Sequence, residues 1–185
     1  MAYAGQTIEN PLSGERITFR KTSADTDGEV LAFDLELSPD GNVPGMHVHP
    51  IQEERFEVVE GTMRFRRRGR KVIARPGDVV VVPPGARHKF QNGGDEEARA
   101  RVEVRPALRM EQLLQTSVDL AEEGRTNSKG MPKPLDLAVF AHEFRDEVTG
   151  PFLPGWLQQM VLAPLAWIAR KRGHGARYAT RPATA

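Results

Sequence analysis

The chain contains no cysteine, which excludes disulfide bonds, thiol nucleophiles and thiolate metal ligands. Any metal site must therefore be built from histidine and carboxylate side chains. Aromatic residues make up only 6% of the sequence, and the net charge of +1 gives no excess that would favour general polyanion binding. Six cations between Arg64 and Lys71 are interpreted as a solvated hairpin tip, so we expect no nucleic-acid partner.

Long apolar runs are also scarce. Residues 1 to 19 lack the apolar segment and early cationic cluster of a secretory signal, and we expect a cytoplasmic protein. The uncharged stretch 152–169 reaches the lower limit for a membrane span, but its two prolines, one glycine and two glutamines argue against one. Its basic flank, Arg170 to Arg172, would also suit an interfacial helix. We expect packing against the barrel or a twin subunit, and predict a homodimer.

Residues 15 to 106 have the pattern of many short β-strands. Leucine and phenylalanine alternate with other residues from Leu31 to Leu37, and Val79 to Val82 form a continuous β-branched run. Frequent turns between such strands are typical of a barrel or a double-sheet sandwich. After Pro106 the apolar spacing becomes helical. We therefore predict a mainly β protein with a helical C-terminal extension over 107–173 and a flexible tail over 174–185.

Three of the five histidines fall in one spaced pattern with a carboxylate: His47, His49, Glu54 and His88. His47 and His49 are two residues apart, so on an extended strand both point to the same face. Three neutral imidazoles and one carboxylate suit a divalent first-row metal and leave positions free for water or substrate. The pattern indicates a metal site whose ligands come from strands far apart in the sequence. Bringing such strands together requires a closed or folded-over sheet.

Two adjacent carboxylates compete for the fourth ligand position, and strand parity separates them. If Glu54 faces inward, Phe56 and Val58 follow it and form an apolar lining. If Glu53 faces inward, charged residues follow it into the core, which is costly. Glu54 is therefore the better ligand, and Glu53 is either solvated or an acceptor for a ligand N–H.

The segments around the three histidines and Glu54 resemble the two sequence motifs of the cupin superfamily, which are small β-barrels related to the jelly rolls. Roughly residues 30 to 105 are covered, and every fixed position is matched: Gly41, His47, His49, Glu54, Gly61, Gly77, Pro83, Gly85, His88 and Asn92. The resemblance implies a jelly-roll barrel with His47, His49, Glu54 and His88 as the metal ligands. The metal would be Fe, Mn, Ni, Cu or Zn, since the ligand set does not rank them.

Proteins of this superfamily include oxygenases, decarboxylases, isomerases, lyases and non-enzymatic binders, so the fold leaves the function open. We expect a metal-dependent oxygenase for a small aromatic or dicarbonyl substrate, with Glu54 also able to take a proton. The substrate pocket is predicted from inward-facing apolar residues: Phe56, Val58, Met63, Phe65 and Phe90. The alternatives are a redox-neutral lyase or isomerase and a small-molecule sensor or storage module.

Overall fold

A computed structural model describes residues 2–175, so residues 176–185 of the predicted flexible tail lie outside the described part. Nine strands precede three α-helices in this range. The strands are β1 (Thr7–Asn10), β2 (Glu15–Lys21), β3 (Leu31–Leu37), β4 (Glu53–Glu60), β5 (Met63–Arg67), β6 (Arg70–Ala74), β7 (Val79–Val82), β8 (His88–Asn92) and β9 (Ala98–Arg105). The helices are α1 (Met110–Glu122), α2 (Pro134–Glu143) and α3 (Gly155–Lys171).

The strands form two antiparallel sheets, one of six strands in the order β1-β2-β3-β9-β4-β7 and one of three in the order β6-β5-β8. Strands that are neighbours in sequence are often not neighbours in the sheet: β3 and β4 lie on either side of β9. This crossing over of connections is typical of a jelly roll. It brings residues from distant parts of the chain to a common interior.

Alternation along the strands produces the core. Every second residue of β3, from Leu31 to Leu37, is buried, and the same alternation runs through β4 and β8. Phe19 and Phe33 of adjacent strands meet edge to face, with ring centroids 6.5 Å apart. The buried apolar faces of both sheets pack into one cluster, which Met110 and Val118 of α1 join.

The extension after the barrel is helical, so the predicted fold class is confirmed. Helix α1 packs on β1, and α2 packs on α3 through Val139, Ala166 and Ala169. His174 is the first residue of the predicted tail. Its Nδ1 lies 3.0 Å from Oδ1 of Asp136 in α2. Within residues 2–175, no helix combines the length and the apolar character that crossing a membrane requires.

Gly61 connects β4 to β5 and allows a test of the barrel's packing. Its φ is +70°, and a Cβ there would lie 2.5 Å from the carbonyl oxygen of Glu97 and 2.8 Å from Ala98 Cα. Gly77 also has a positive φ, of +91°, but a Cβ there would meet nothing within 4 Å. Gly61→Ala should lower the free energy of unfolding by about 2–4 kcal/mol, from left-handed strain plus a backbone clash.

Gly77→Ala is the matched control, because it adds the strain without the clash and should cost only about 1–2 kcal/mol. Urea unfolding of both variants measures the difference. Equal losses would show that the approach of Glu97 and Ala98 does not restrict this turn.

Candidate metal centre

Three segments bring the predicted ligands together. His47 and His88 pair across an antiparallel bridge, each backbone N–H donating to the other's carbonyl at 3.0 Å. His49 follows two residues later, and its carbonyl accepts the Gly85 N–H at 2.8 Å. Glu54 reaches the same place from β4, where its neighbours across the sheet are Val82 and Val104. The structure thereby gathers one nitrogen or oxygen from each side chain within 4.8 Å: His47, His49, Glu54 and His88.

Each imidazole is oriented by a backbone carbonyl that contacts its Nδ1. The acceptors are Gly45 for His47 at 3.2 Å, Ala86 for His88 at 2.9 Å, and Glu147 for His49 at a short distance. A carbonyl can only accept, so each Nδ1 carries the proton and each neutral ring offers its Nε2 lone pair. This arrangement is how metal-binding histidines are held in proteins.

Buried polar atoms at the centre of the cluster indicate that a cation belongs there. His88 Nε2 and Glu54 Oε2 are 2.8 Å apart, which is close enough for a hydrogen bond. Their angles do not suit one, and neither atom has another hydrogen-bond partner. His49 Nε2 is likewise without a partner and lies 3.4 Å from Glu54 Oε1. Lone pairs this close, with little water, repel unless a proton or a metal ion lies among them. The donor set therefore fits a divalent metal.

The shifts in the pKa values of these side chains agree with a cation site at the cluster. Burial, with repulsion from His49 and His88, lowers the pKa of His47 to about 3, so this ring is neutral at physiological pH. Burial also acts to lower the pKa of His49, but the Glu54 carboxylate outweighs it and raises that pKa. Burial acts to raise the pKa of Glu54, while attraction to His49 and contacts with His49 and His88 hold it well below its usual range. A cation is thus favoured between Glu54 and the rings.

The cluster borders a cavity of about 220 Å³ that extends between the barrel and the helical extension. His47, His49 and Glu54 contribute to its wall, and most of the remaining wall is apolar. Helices α1 and α2 cover one side, with residues that include Met110, Leu113, Leu114, Leu137 and Phe140. A small organic molecule with an apolar body matches such a cavity.

The predicted pocket residues divide into two groups. Phe56 and Phe90 line the cavity, and their ring centroids are 5.1 Å apart. Val58, Met63 and Phe65 are fully buried in the barrel core and are not among the cavity-lining residues. Glu53 is half-buried and stands outside the metal cluster.

Three contributors to the site leave little signal in the sequence. The helical extension supplies part of the cavity wall, but its apolar spacing indicates only a packed face. The carbonyl of Glu147, which orients His49, is a backbone group and leaves no trace in the sequence. Glu15, at the start of β2, also lines the cavity. Its only sequence signal is its parity with the buried Ile17 and Phe19.

The chain matches a family model and several curated relatives. Residues 33–104, which contain all four clustered side chains, match the family model described as "Cupin domain". The chain is 30% identical over 138 residues to "Oxidoreductase iacF" from Pestalotiopsis fici, covering 69% of this chain and 68% of that protein. It is 38% identical over 60 residues to "Polyketide synthase CurC" from Streptomyces cyaneus, covering 32% of this chain and 39% of that protein.

The chain thus spans about two thirds of the first relative and well under half of the second. Among solved structures, a "predicted oxalate decarboxylase" from Thermotoga maritima is 21% identical with a TM-score of 0.49. That similarity covers 55% of this chain and 90% of the other.

Metal content tests the cluster. Protein purified without a metal-affinity tag should contain about one divalent ion per chain by elemental analysis, and His49→Ala and His88→Ala should lose most of it. His142→Ala is the control, since His142 Nδ1 contacts Gln159 Oε1 at 2.8 Å, away from the cluster. Equal metal content in the wild type and the two cluster variants would contradict the assignment.

Proposed function

Because this chain belongs to the cupin family, we propose that it is a metal-dependent oxygenase acting on a small aromatic or dicarbonyl substrate. The observation that supports this is the opening of the His/Glu cluster onto a largely apolar cavity of about 220 Å³. A mixed imidazole and carboxylate site with open positions suits a bidentate oxygen ligand. The relative named an oxidoreductase is consistent with redox chemistry at such a site.

The proposed roles follow from the positions of the side chains. His47, His49 and His88 would hold the metal through Nε2, with Glu54 as the fourth ligand. A bound divalent ion would polarise and orient a chelating substrate. Phe56 and Phe90 would contact the apolar body of the substrate and exclude water. Glu54 borders the cavity and, on leaving the metal, would accept the acidic proton of an enolisable substrate.

Oxygen uptake tests the proposal. Protein reconstituted anaerobically with Fe(II) is presented with catechols, flavonols and β-diketones, and uptake is followed with an oxygen electrode. We expect uptake that depends on one of these substrate classes. Glu54→Ala should reduce it by about a hundredfold or more, because both a ligand and a proton acceptor are lost. Glu57→Ala is the control, since Glu57 lies on the same strand but contacts Arg55 and Arg101 on the outer face.

The same experiment distinguishes the alternative classes. Conversion of a substrate without oxygen uptake would contradict the oxygenase and favour a redox-neutral lyase or isomerase. Tight binding with no conversion under any metal would favour a sensor or storage module. Loss of uptake in Glu57→Ala equal to that in Glu54→Ala would remove the special role assigned to Glu54.

We also propose that the protein is a homodimer formed through α3. One face of this helix and the turn before it expose large apolar side chains, including Phe152 (84% exposed), Trp156 (68%), Met160 (66%) and Trp167 (63%). Exposed apolar patches of this kind commonly mark protein or membrane interfaces. A second copy of the same face would cover it with its own apolar residues.

Light scattering at micromolar concentration should therefore give about twice the 20.6 kDa chain mass. Met160→Glu should shift the protein toward the monomer, because the new charge would be buried in the interface. Leu12→Glu is the control, since Leu12 is 45% exposed in the turn after β1, away from α3. A wild-type monomer would contradict the dimer, and a monomer that binds anionic vesicles would identify α3 as an interfacial helix.

A further inference from the structure

Glu15 introduces a second carboxyl group, besides that of Glu54, into the cavity wall. It opens β2, whose inward residues Ile17 and Phe19 are buried, and it shares their side of the strand. Glu15 is half-buried, and the cavity wall to which it belongs is largely apolar, with Ile17, Phe33 and Leu35 on the sheet and Leu113 and Leu114 on α1. A carboxyl group among such neighbours is costly, so its position calls for a compensating partner.

The protein itself supplies little compensation. Ser13 Oγ donates to Glu15 Oε2 at 2.7 Å, and Ser13 is held by its own backbone bonds to Asn10 and Asn42. Among residues 2–175, no other group hydrogen-bonds to this carboxylate and no cation pairs with it. Burial raises the pKa of Glu15 to about 7, and the Ser13 hydroxyl opposes that shift. A ligand that donates a hydrogen bond would relieve the deficit.

Strand register separates Glu15 from the metal cluster. Glu54 lies across from Val104, which lies across from Leu31 of β3. Glu15 lies across from Leu37, at the other end of the same strand. Leu31 and Leu37 are the two ends of a seven-residue strand. The other sheet gives a shorter path, because the Asn42 N–H donates to the Ser13 carbonyl and Asn42 pairs with Gln91. Gln91 lies three residues, about 10 Å, along β8 from His88. The cavity wall therefore carries Glu15 apart from the metal cluster, and most of the other lining residues are apolar, with Ser117 and Thr149 as further polar members.

The geometry points to Glu15 as a substrate-binding residue that selects molecules with a hydrogen-bond donor, a hydroxyl or an ammonium group, remote from their metal-binding end. The inference rests on the proposed function, because the metal-bound end fixes which part of the molecule reaches β2. The substrate class becomes more specific: a chelating head, an apolar body and a donor at the far end. Nothing in the metal cluster itself requires that donor.

Binding of matched probes tests this inference. The probes are β-diketones with apolar tails of graded length that end in a methyl, a hydroxyl or an ammonium group. Calorimetric titration into the metal-loaded protein should show that, at one tail length, the donor-ended probes bind about tenfold or more tightly than the methyl-ended one. Glu15→Gln should reduce the ammonium preference by about tenfold, and Glu15→Leu should abolish both preferences. Glu9→Gln is the control, because Glu9 is exposed on the neighbouring strand β1.

The outcomes separate the two proposals. Tail preference without oxygen uptake would support Glu15 and contradict the oxygenase. Oxygen uptake with equal affinity for all tails, or a preference that survives in Glu15→Leu, would overturn the role of Glu15 alone. Failure of every probe to bind would overturn both.

Urea unfolding of the Glu15 variants should show undiminished stability, since removing a poorly compensated carboxyl does not weaken the fold. A loss of stability would identify Glu15 as structural.

Discussion

A carboxylate buried between imidazoles is the constraint on which the rest of this structure depends. Glu54 lies 2.8 Å from His88 and 3.4 Å from His49, measured from carboxylate oxygen to Nε2, and it is only 6% exposed. Such a group is tolerated when a cation neutralises the surrounding lone pairs. The crossing connections of the two sheets serve this arrangement, because they bring β4, β8 and the segment containing His47 and His49 to one point.

The helical extension is part of the site. Val48 forms a backbone bridge with Thr149, so the segment between two of the imidazoles is held by chain that follows α2. The backbone carbonyl of Glu147 accepts from His49. Its side chain accepts the Arg109 N–H at 3.1 Å, which connects the start of α1 to the same part of the site. Movement of the extension would therefore alter both the cavity wall and the orientation of a metal ligand.

Much of the fold could be predicted because the buried positions repeat with a regular period. The alternation from Leu31 to Leu37 and the change of spacing after Pro106 correspond to β3 and to the start of the helices. Strand parity also favours Glu54 over Glu53 as the residue beside the histidines, since β4 has one acceptable inward face. These are local patterns, and the sequence carries them directly.

The remaining features depend on distant contacts. Nothing local distinguishes Glu15 from an ordinary charged residue at a strand end, because its environment arises where β2 and α1 line one cavity. Val58, Met63 and Phe65 face inward like Phe56, yet they lie in the core and do not line the cavity. Cavity walls are set by how elements pack, and the sequence pattern of each element specifies only which face is buried.

Three imidazoles and one carboxylate of this chain are proposed to bind a metal ion together. X-ray absorption spectroscopy of the zinc-loaded protein measures this directly. We expect imidazole scattering from three nitrogens at about 2.0–2.1 Å and a carboxylate oxygen at about 2.0–2.2 Å. A spectrum dominated by water oxygens, with one imidazole or none, would contradict it.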